Sequence, residues 1–411
     1  MEKQLTPQLR FPEFSDDWKK CKIGDTFKLF NGYAFSSSDS LNSDGALWVK
    51  IADVGIDKMK TDNLSYLPYE YVEKYKKFVL NEGDYVVALT RPILSGNLKI
   101  ARIDEYFNNS LLNQRVAKLI TDNNSSFIYN LLKGDRLIKS IENNIAGSDP
   151  PNLSPNDINH IKITIPKLQE QQKIAAFLTD VDDKITKLTK KKTLLEQYKK
   201  GIMQKIFNQE LRFKDENGNA FPEWEEKSLK QLLISFKLGG NYSNSDKITD
   251  RPLIKMGNLG RGNILTNKVQ YIDDSEVVDE DDQIKKGDLF FNTRNTLDLV
   301  GKVAIWRDEL PLAYYNSNLM RFEFNNNYFM NYRLNSYDGI KGLKRYATGT
   351  TSVAAIYTKD LLKLKLSIPC LEEQTKIANF LSDIDIKIEA LNTQIENSKA
   401  FKKGLLQKMF V

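Results

Sequence analysis

The feature that most constrains this chain is one long stretch that occurs twice. Ile165-Pro166-Lys167-Leu168-Gln169-Glu170-Gln171-Gln172-Lys173-Ile174-Ala175-Ala176-Phe177-Leu178 returns without a gap as Ile368-Pro369-Cys370-Leu371-Glu372-Glu373-Gln374-Thr375-Lys376-Ile377-Ala378-Asn379-Phe380-Leu381, 203 positions on. The offset still holds at the far end, where Lys200-Gly201 and Gln204-Lys205-Ile206-Phe207 match Lys403-Gly404 and Gln407-Lys408-Met409-Phe410. A gap-free repeat of this length implies two copies of one structural plan.

Each copy predicts a long helix. In the first, Ile174, Val181, Leu188, Leu195 and Ile202 stand seven apart, and Leu178, Ile185, Lys192, Lys199 and Ile206 form a second series four residues later. In the second copy the series are Ile377, Ile384, Leu391, Ser398, Leu405 and Leu381, Ile388, Ile395, Lys402, Met409. Alternating spacings of four and three are the seam of a coiled coil. Pro166 and Pro369 stand where such a helix begins, a tolerated place for a missing amide. About 38 helical residues would span roughly 57 Å at ~1.5 Å each. A lone helix with one apolar seam is unstable in water, and the simplest partner is the other copy. Lys192, Lys199, Ser398 and Lys402 weaken the seam; they set register or leave room for a partner's helix.

Between the helices lie two stretches, about Trp18 to Thr164 and Trp224 to Ser367, that share a framework. Leu47-Trp48-Val49-Lys50-Ile51 is like Pro252-Leu253-Ile254-Lys255-Met256, and Glu82-Gly83-Asp84-Tyr85-Val86-Val87 is like Lys286-Gly287-Asp288-Leu289-Phe290-Phe291, a Gly-Asp turn feeding a strand. Each such strand runs into a Thr-Arg pair, Thr90-Arg91 or Thr293-Arg294, and each half closes on a strand leading into its helix. Leu-Arg-Phe and Phe-Pro-Glu-(Phe/Trp) mark the start of each half, at Leu9 to Phe14 and at Leu211 to Trp224. The loops before the closing strands differ: Gly147 to Ser154 in one half, Thr348 to Ala355 in the other. One scaffold with two sets of loops fits two different ligands.

Composition sets limits. A chain of 411 residues holds two to four domains, and 41% apolar residues suffice for packed cores. No apolar run is long enough to span a membrane and Met1 to Arg10 is polar, so a cytoplasmic protein without a membrane partner is expected. Cys21 and Cys370 are too few for a disulfide framework. A net charge of +6 permits nucleic-acid binding without requiring it. Catalysis finds little support. Asp149-Pro150-Pro151-Asn152 is like the Asp/Asn-Pro-Pro-aromatic loop of amino-methyltransferases, but Asn152 replaces the ring that stacks on a flipped base, and no glycine-rich cofactor loop follows a strand. His160 is the only histidine, and no phosphate-binding P-loop pattern occurs. The run Asp279 to Asp282 is a metal site by composition alone; a solvated loop is its simpler reading.

The alternation of two variable regions with two near-identical helices, each opening Ile-Pro-x-Leu-x-Glu-Gln, resembles the specificity subunit of type I restriction-modification systems along essentially the whole chain. The resemblance implies an α+β fold: two pseudo-twofold-related α/β target recognition domains separated by two long antiparallel coiled-coil helices. It places recognition domain 1 at 1–164, spacer helix 1 at 165–207, a junction and recognition domain 2 at 208–367, and spacer helix 2 at 368–411. It implies that each domain reads one half of a split site on double-stranded DNA. Two modification subunits, carrying S-adenosylmethionine and methylating adenine N6, would dock on the chain. Restriction subunits using ATP and magnesium would add to these. The chain itself would hold no cofactor or metal and would be no enzyme.

Two readers on a rigid rod reach half-sites about one DNA turn apart, roughly 34 Å. Base reading needs polar side chains on loops, with bidentate pairs worth ~1–3 kcal/mol each. The candidate readers are Lys50, Arg91, Asn97, Ser148 and Asn152 in the first half, and Lys255, Arg261, Arg294, Asn295, Arg345 and Thr350 in the second. The candidate helix-packing residues are Ile174, Leu178, Val181, Ile185, Leu188 and Leu195, with Ile377, Leu381, Ile384, Ile388, Leu391 and Ile395. Two other classes stand beside this one: a coiled-coil adaptor without DNA reading, and a self-contained methyltransferase using the Asp149 to Asn152 loop.

Overall fold

The computed structural model describes residues 6–145 and 150–410. The chain forms two compact units, Met1–Thr189 with Thr393–Val411, and Lys190–Asn392. The two long helices are Leu168–Phe207 and Leu371–Met409, of 40 and 39 residues. Each helix therefore begins in one unit and ends in the other. Among the described residues no helix is long and apolar enough to cross a membrane.

In the first unit, Lys28–Asn31, Val116–Ile120, Tyr85–Ala88 and Ile100–Arg102 form an antiparallel sheet in that order. The second unit repeats the order with Leu233–Leu238, Leu319–Phe324, Leu289–Asn292 and Val303–Ile305. The inner strands Tyr85–Ala88 and Leu289–Asn292 are buried throughout. Side chains of a strand alternate between faces, so each of these strands feeds two cores. Tyr85 and Val87 enter the core that includes Ile174 and Leu178, while Val86 and Ala88 enter another. Leu289 and Phe291 join Ile377 and Leu381, and Phe290 faces the other way. Each unit adds a second four-stranded sheet with shorter strands that contains one parallel pair, Ala46–Val49 with Ser110–Leu112 and Pro252–Ile254 with Tyr314–Tyr315.

The Gly-Asp turns are the same device twice. Gly83 and Gly287 have φ of +93° and +87°, which a side chain would strain. Asp84 Oδ2 accepts from the Asn81 amide at 2.8 Å and Asp288 Oδ2 from the Lys285 amide at 2.9 Å. Closing strands Lys162–Ile165 and Lys365–Ile368 pair with Lys19–Lys22 and Glu225–Ser228 and deliver the chain to the long helices.

The helices start two residues after the prolines, not at them. The Pro166 and Pro369 carbonyls accept from Gln171 Nε2 and Gln374 Nε2, each at 2.9 Å, which explains the Gln of the repeated motif. Ile174, Leu178, Ile377, Leu381, Ile384, Leu391 and Ile395 are buried, and Val181, Ile185, Leu188, Leu195 and Ile388 are half-buried among exposed neighbours. The seam lysines are partnered. In the second unit Lys192 Nζ donates to Asn392 Oδ1 at 2.9 Å and Lys199 Nζ to Asp385 Oδ1 at 2.5 Å, so the helix segments there run antiparallel. In the first unit Lys402 Nζ reaches Asp182 at 2.5 and 2.7 Å.

The repeated Glu closes a clasp in each unit. Glu170 accepts from Arg10 Nε at 2.7 Å, Arg10 Nη2 at 2.8 Å and Trp18 Nε1 at 3.2 Å. Glu373 accepts from Arg212 Nε at 3.3 Å, Arg212 Nη2 at 2.9 Å and Trp224 Nε1 at 3.1 Å. Phe11 and Phe213 pack edge-on against Phe177 and Phe380 beside these clasps. The Leu-Arg-Phe signature thus ties the start of each half to the start of its long helix.

Candidate nucleic-acid interface

Both units set a hairpin beside the Thr-Arg pair, but they build it from different segments. In the first unit Thr90 Oγ1 donates to Asn152 Oδ1 at 2.7 Å, and the Arg91 amide donates to the Pro151 carbonyl at 2.8 Å. These contacts hold Arg91 at φ +48°. The chain then makes the hairpin Ile93–Leu94 with Asn97–Leu98. Its two-residue turn, Ser95-Gly96, has φ of +49° and +73°, as a type I′ turn requires. Asn97 Nδ2 donates to the Ser95 carbonyl at 3.0 Å. Arg91, the hairpin, Pro151, Lys60 and Lys99 border a cleft of about 880 Å³.

In the second unit the strand Arg294–Asn295 pairs with Ala354–Ala355, which turns back on Thr348–Gly349. The Thr350 amide donates to the Val353 carbonyl at 2.8 Å, and the Thr350 and Ser352 hydroxyls lie 3.2 Å apart. Asn295 Oδ1 accepts from the Thr296 amide at 2.8 Å. Arg294, Arg345 and Thr350 are exposed, and Arg345 ends the helix Tyr337–Arg345 that leads into this hairpin. Arg294, Asn295, Arg345 and Thr350 therefore gather at one small sheet; in the first unit Arg91 borders the cleft, Asn152 bonds to its neighbour Thr90, and Asn97 lies on the hairpin that follows.

Other candidates lie elsewhere. Lys50 Nζ donates to Ser65 Oγ at 2.9 Å and sits over the Trp48 ring. Lys255 Nζ donates to Asn244 Oδ1 at 2.9 Å and Gln270 Oε1 at 2.8 Å. Both ammonium groups are spent inside the fold, and burial lowers the Lys50 pKa. Arg261 is half-buried: Nη2 donates to the Asp298 carbonyl at 3.4 Å, Nη1 is buried with no partner among the described residues, and burial lowers its pKa. Ser148 lies outside the described residues, as does Asp149. The part of the Asp149 to Asn152 loop that is described braces Thr90 and Arg91. In the acidic run, Asp279 and Asp282 hold Lys237 at 2.9 and 3.0 Å, and Asp282 also accepts from Tyr242 at 2.6 Å.

Sequence reasoning missed Lys99 and Lys302. Lys99 Nζ donates to the Ile51 carbonyl at 2.6 Å and Lys302 Nζ to the Leu259 carbonyl at 2.9 Å, and burial lowers both pKa values. They stand at the repeat offset, each fixing the loop after a Lys50- or Lys255-type strand. That offset was the available signal. The exposed tips Leu94 and Val353 had no signal beyond their turns.

The family model for the type I restriction modification DNA specificity domain matches residues 15–197 and again 222–398. The chain belongs to this family. Each match takes in one variable region and most of the long helix after it, so the family's unit is the repeat itself. The MjaVIII specificity subunit of Methanocaldococcus jannaschii is 31% identical over 208 residues, 50% of this chain and 49% of that protein. The chain thus spans about half the length of that relative in the match. The EcoKI specificity subunit of Escherichia coli is 20% identical over 96% of this chain and 88% of its own length. Among solved structures, the S subunit of a type I system from M. genitalium shares the fold with a TM-score of 0.63 at 16% identity, covering 99% of both chains.

Proposed function

We propose that this chain is the DNA-reading subunit of a type I restriction-modification complex. Each unit reads one half of a bipartite target, the first through Arg91, Asn97 and Asn152, the second through Arg294, Asn295, Arg345 and Thr350. The two long helices pack antiparallel as a spacer, fix the distance between half-sites and seat two modification subunits. Those subunits bring S-adenosylmethionine and methylate adenine N6; restriction subunits with ATP and magnesium complete a nuclease. The chain works in the cytoplasm and supplies the address, not the chemistry. The observation that carries this reading is the double family match on one framework whose exposed hairpins differ between the units. Side chains on such hairpins suit the major groove, where each base pair presents its own donors and acceptors.

The test is co-expression with its modification subunit in a methylation-free host, followed by mapping of N6-methyladenine. A split motif that disappears when this chain is omitted is the expected result. A continuous motif, or methylation that persists without this chain, would refute the reading.

A further inference from the structure

Beyond the clasp that both units share, the recognition portions meet the helices differently. In the second unit a further carboxylate, beyond the Glu373 clasp, joins the two. Asp385, on the second long helix, accepts from Lys199 Nζ of the other helix at 2.5 Å. It also accepts from two groups of the recognition portion, Tyr332 Oη at 2.6 Å and Arg307 Nη2 at 3.4 Å. Arg307 Nη1 then donates to the Gly262 carbonyl at 2.9 Å, and Asn331 Nδ2 to the same carbonyl at 3.1 Å. Gly262 follows Arg261 directly. A continuous run of charge-assisted bonds therefore leads from the helix to the loop that bears the Arg261 side chain, whose Nη1 is buried with no partner among the described residues. Charge-assisted bonds are about twice as strong as neutral ones, and a group that shares several holds its neighbours at fixed angles.

The first unit has the same parts, differently wired. Asp182, the repeat counterpart of Asp385, accepts from Lys402 and so links helix to helix. Tyr129, the counterpart of Tyr332, donates instead to Asp57 at 3.0 Å, within the recognition portion. Lys133 also pairs with Asp57, at 2.6 Å. The result is a helix-to-helix pair, Asp182 with Lys402, and a second carboxylate, Asp57, that Tyr129 and Lys133 share within the recognition portion, instead of one carboxylate shared between helix and recognition portion.

Resting on the proposed function, we infer that Asp385, with Tyr332 and Arg307, is a positioning residue that fixes the pitch of the second recognition domain on its helices. It thereby sets the register at which the second half-site is read. Asp182 has no such role.

The experiment uses the full chain with its modification subunit and a library of its split target in which the gap varies by one base pair either way. Wild type methylates one gap. Tyr332→Phe removes a single hydroxyl and keeps the ring beneath Lys199; Asp385→Asn removes the charge. Both are expected to raise methylation of the off-gap targets, relative to the proper gap, by about tenfold, the ratio that loss of one charge-assisted bond permits. The two base blocks stay the same, and Asp182→Asn keeps the wild-type gap. Activity falling equally on all gaps in both variants, or relaxation in Asp182→Asn as well, overturns the inference. A wild-type complex that methylates no split target overturns the proposed function and this inference with it.

Discussion

Asp57 in the first unit and Gly262 in the second stand at the same bend of one framework, with φ of +66° and +92°. Each donates its amide to a neighbouring strand, to the Ile100 and Val303 carbonyls at 3.0 and 2.7 Å. The side chain at the bend differs, and so do the charged groups that meet it, since Arg307 stands where the first unit has Asp104 and Lys133 where the second has Ser336. With a carboxylate present, Tyr129 and Lys133 turn to it and the domain is tied to itself. With glycine there, Tyr332 turns to the helix and Arg307 bridges from Asp385 to the freed carbonyl. The difference shows that a duplicated scaffold can keep its backbone and its clasps while a few side chains, Asp57 against Gly262, Asp104 against Arg307 and Lys133 against Ser336, rewire the coupling of domain to helix.

The largest effects should fall where the units agree. Glu170 and Glu373 are buried, with 2% and 0% exposure, and each holds a guanidinium and an indole N–H. Glu170→Ala and Glu373→Ala should each cost about 3 kcal/mol, read by denaturant unfolding, because the partners lose a buried charge. Unequal losses would break the symmetry argued for the clasps. Next come the readers. Arg294→Ala should weaken binding of the complex by ~1–3 kcal/mol for targets with the second block intact and leave discrimination at the first block unchanged. Arg91→Ala should do the reverse. Uniform loss on all DNA, with a shallower salt slope, would mark a phosphate contact instead.

Smaller effects sharpen the comparison. Lys99→Met and Lys302→Met keep length but leave a loop carbonyl without its donor, costing about 1 kcal/mol in each unit by thermal unfolding. The smallest is a pH effect from Lys133, which has Ser336 and no lysine as its counterpart in the second unit. Burial, and then the nearby Lys402, pull the Lys133 pKa down, while Asp57 opposes. The unfolded chain holds that proton up to an ordinary lysine value near 10.4. Between the lowered folded value and that limit the unfolded state binds more protons, so stability should rise with pH across that window. Lys133→Met should flatten this rise; an unchanged slope would assign it elsewhere.

How much of this was legible in the sequence depends on the kind of residue. The seam, the Gly-Asp turns and the closing strands follow periods and turn chemistry that depend on few neighbours. The clasp was half legible. The repeated Glu and Leu-Arg-Phe stood out, but alignment set Phe14 against Trp224, whereas Trp18 fills the equivalent place. The second junction is longer because it contains a turn closed by the Lys214–Ala220 bridge, with Gly218 at φ +84°. An indole N–H needs only to arrive at the carboxylate, so loop length can drift. Lys50 and Lys255 looked like free polar groups because the strand pattern does not tell where a long side chain ends. The hairpins were hidden for a related reason: one follows its Thr-Arg pair and the other precedes its closing strand, so no offset aligns them.

The central claim is that two readers work independently on one scaffold. The most direct measurement is a methylation map of a chimera in which residues 225–368 are replaced by the matching span of another family member. The account predicts that one block of the split motif changes to the donor's and the other block stays. Change in both blocks, or in neither, would contradict it.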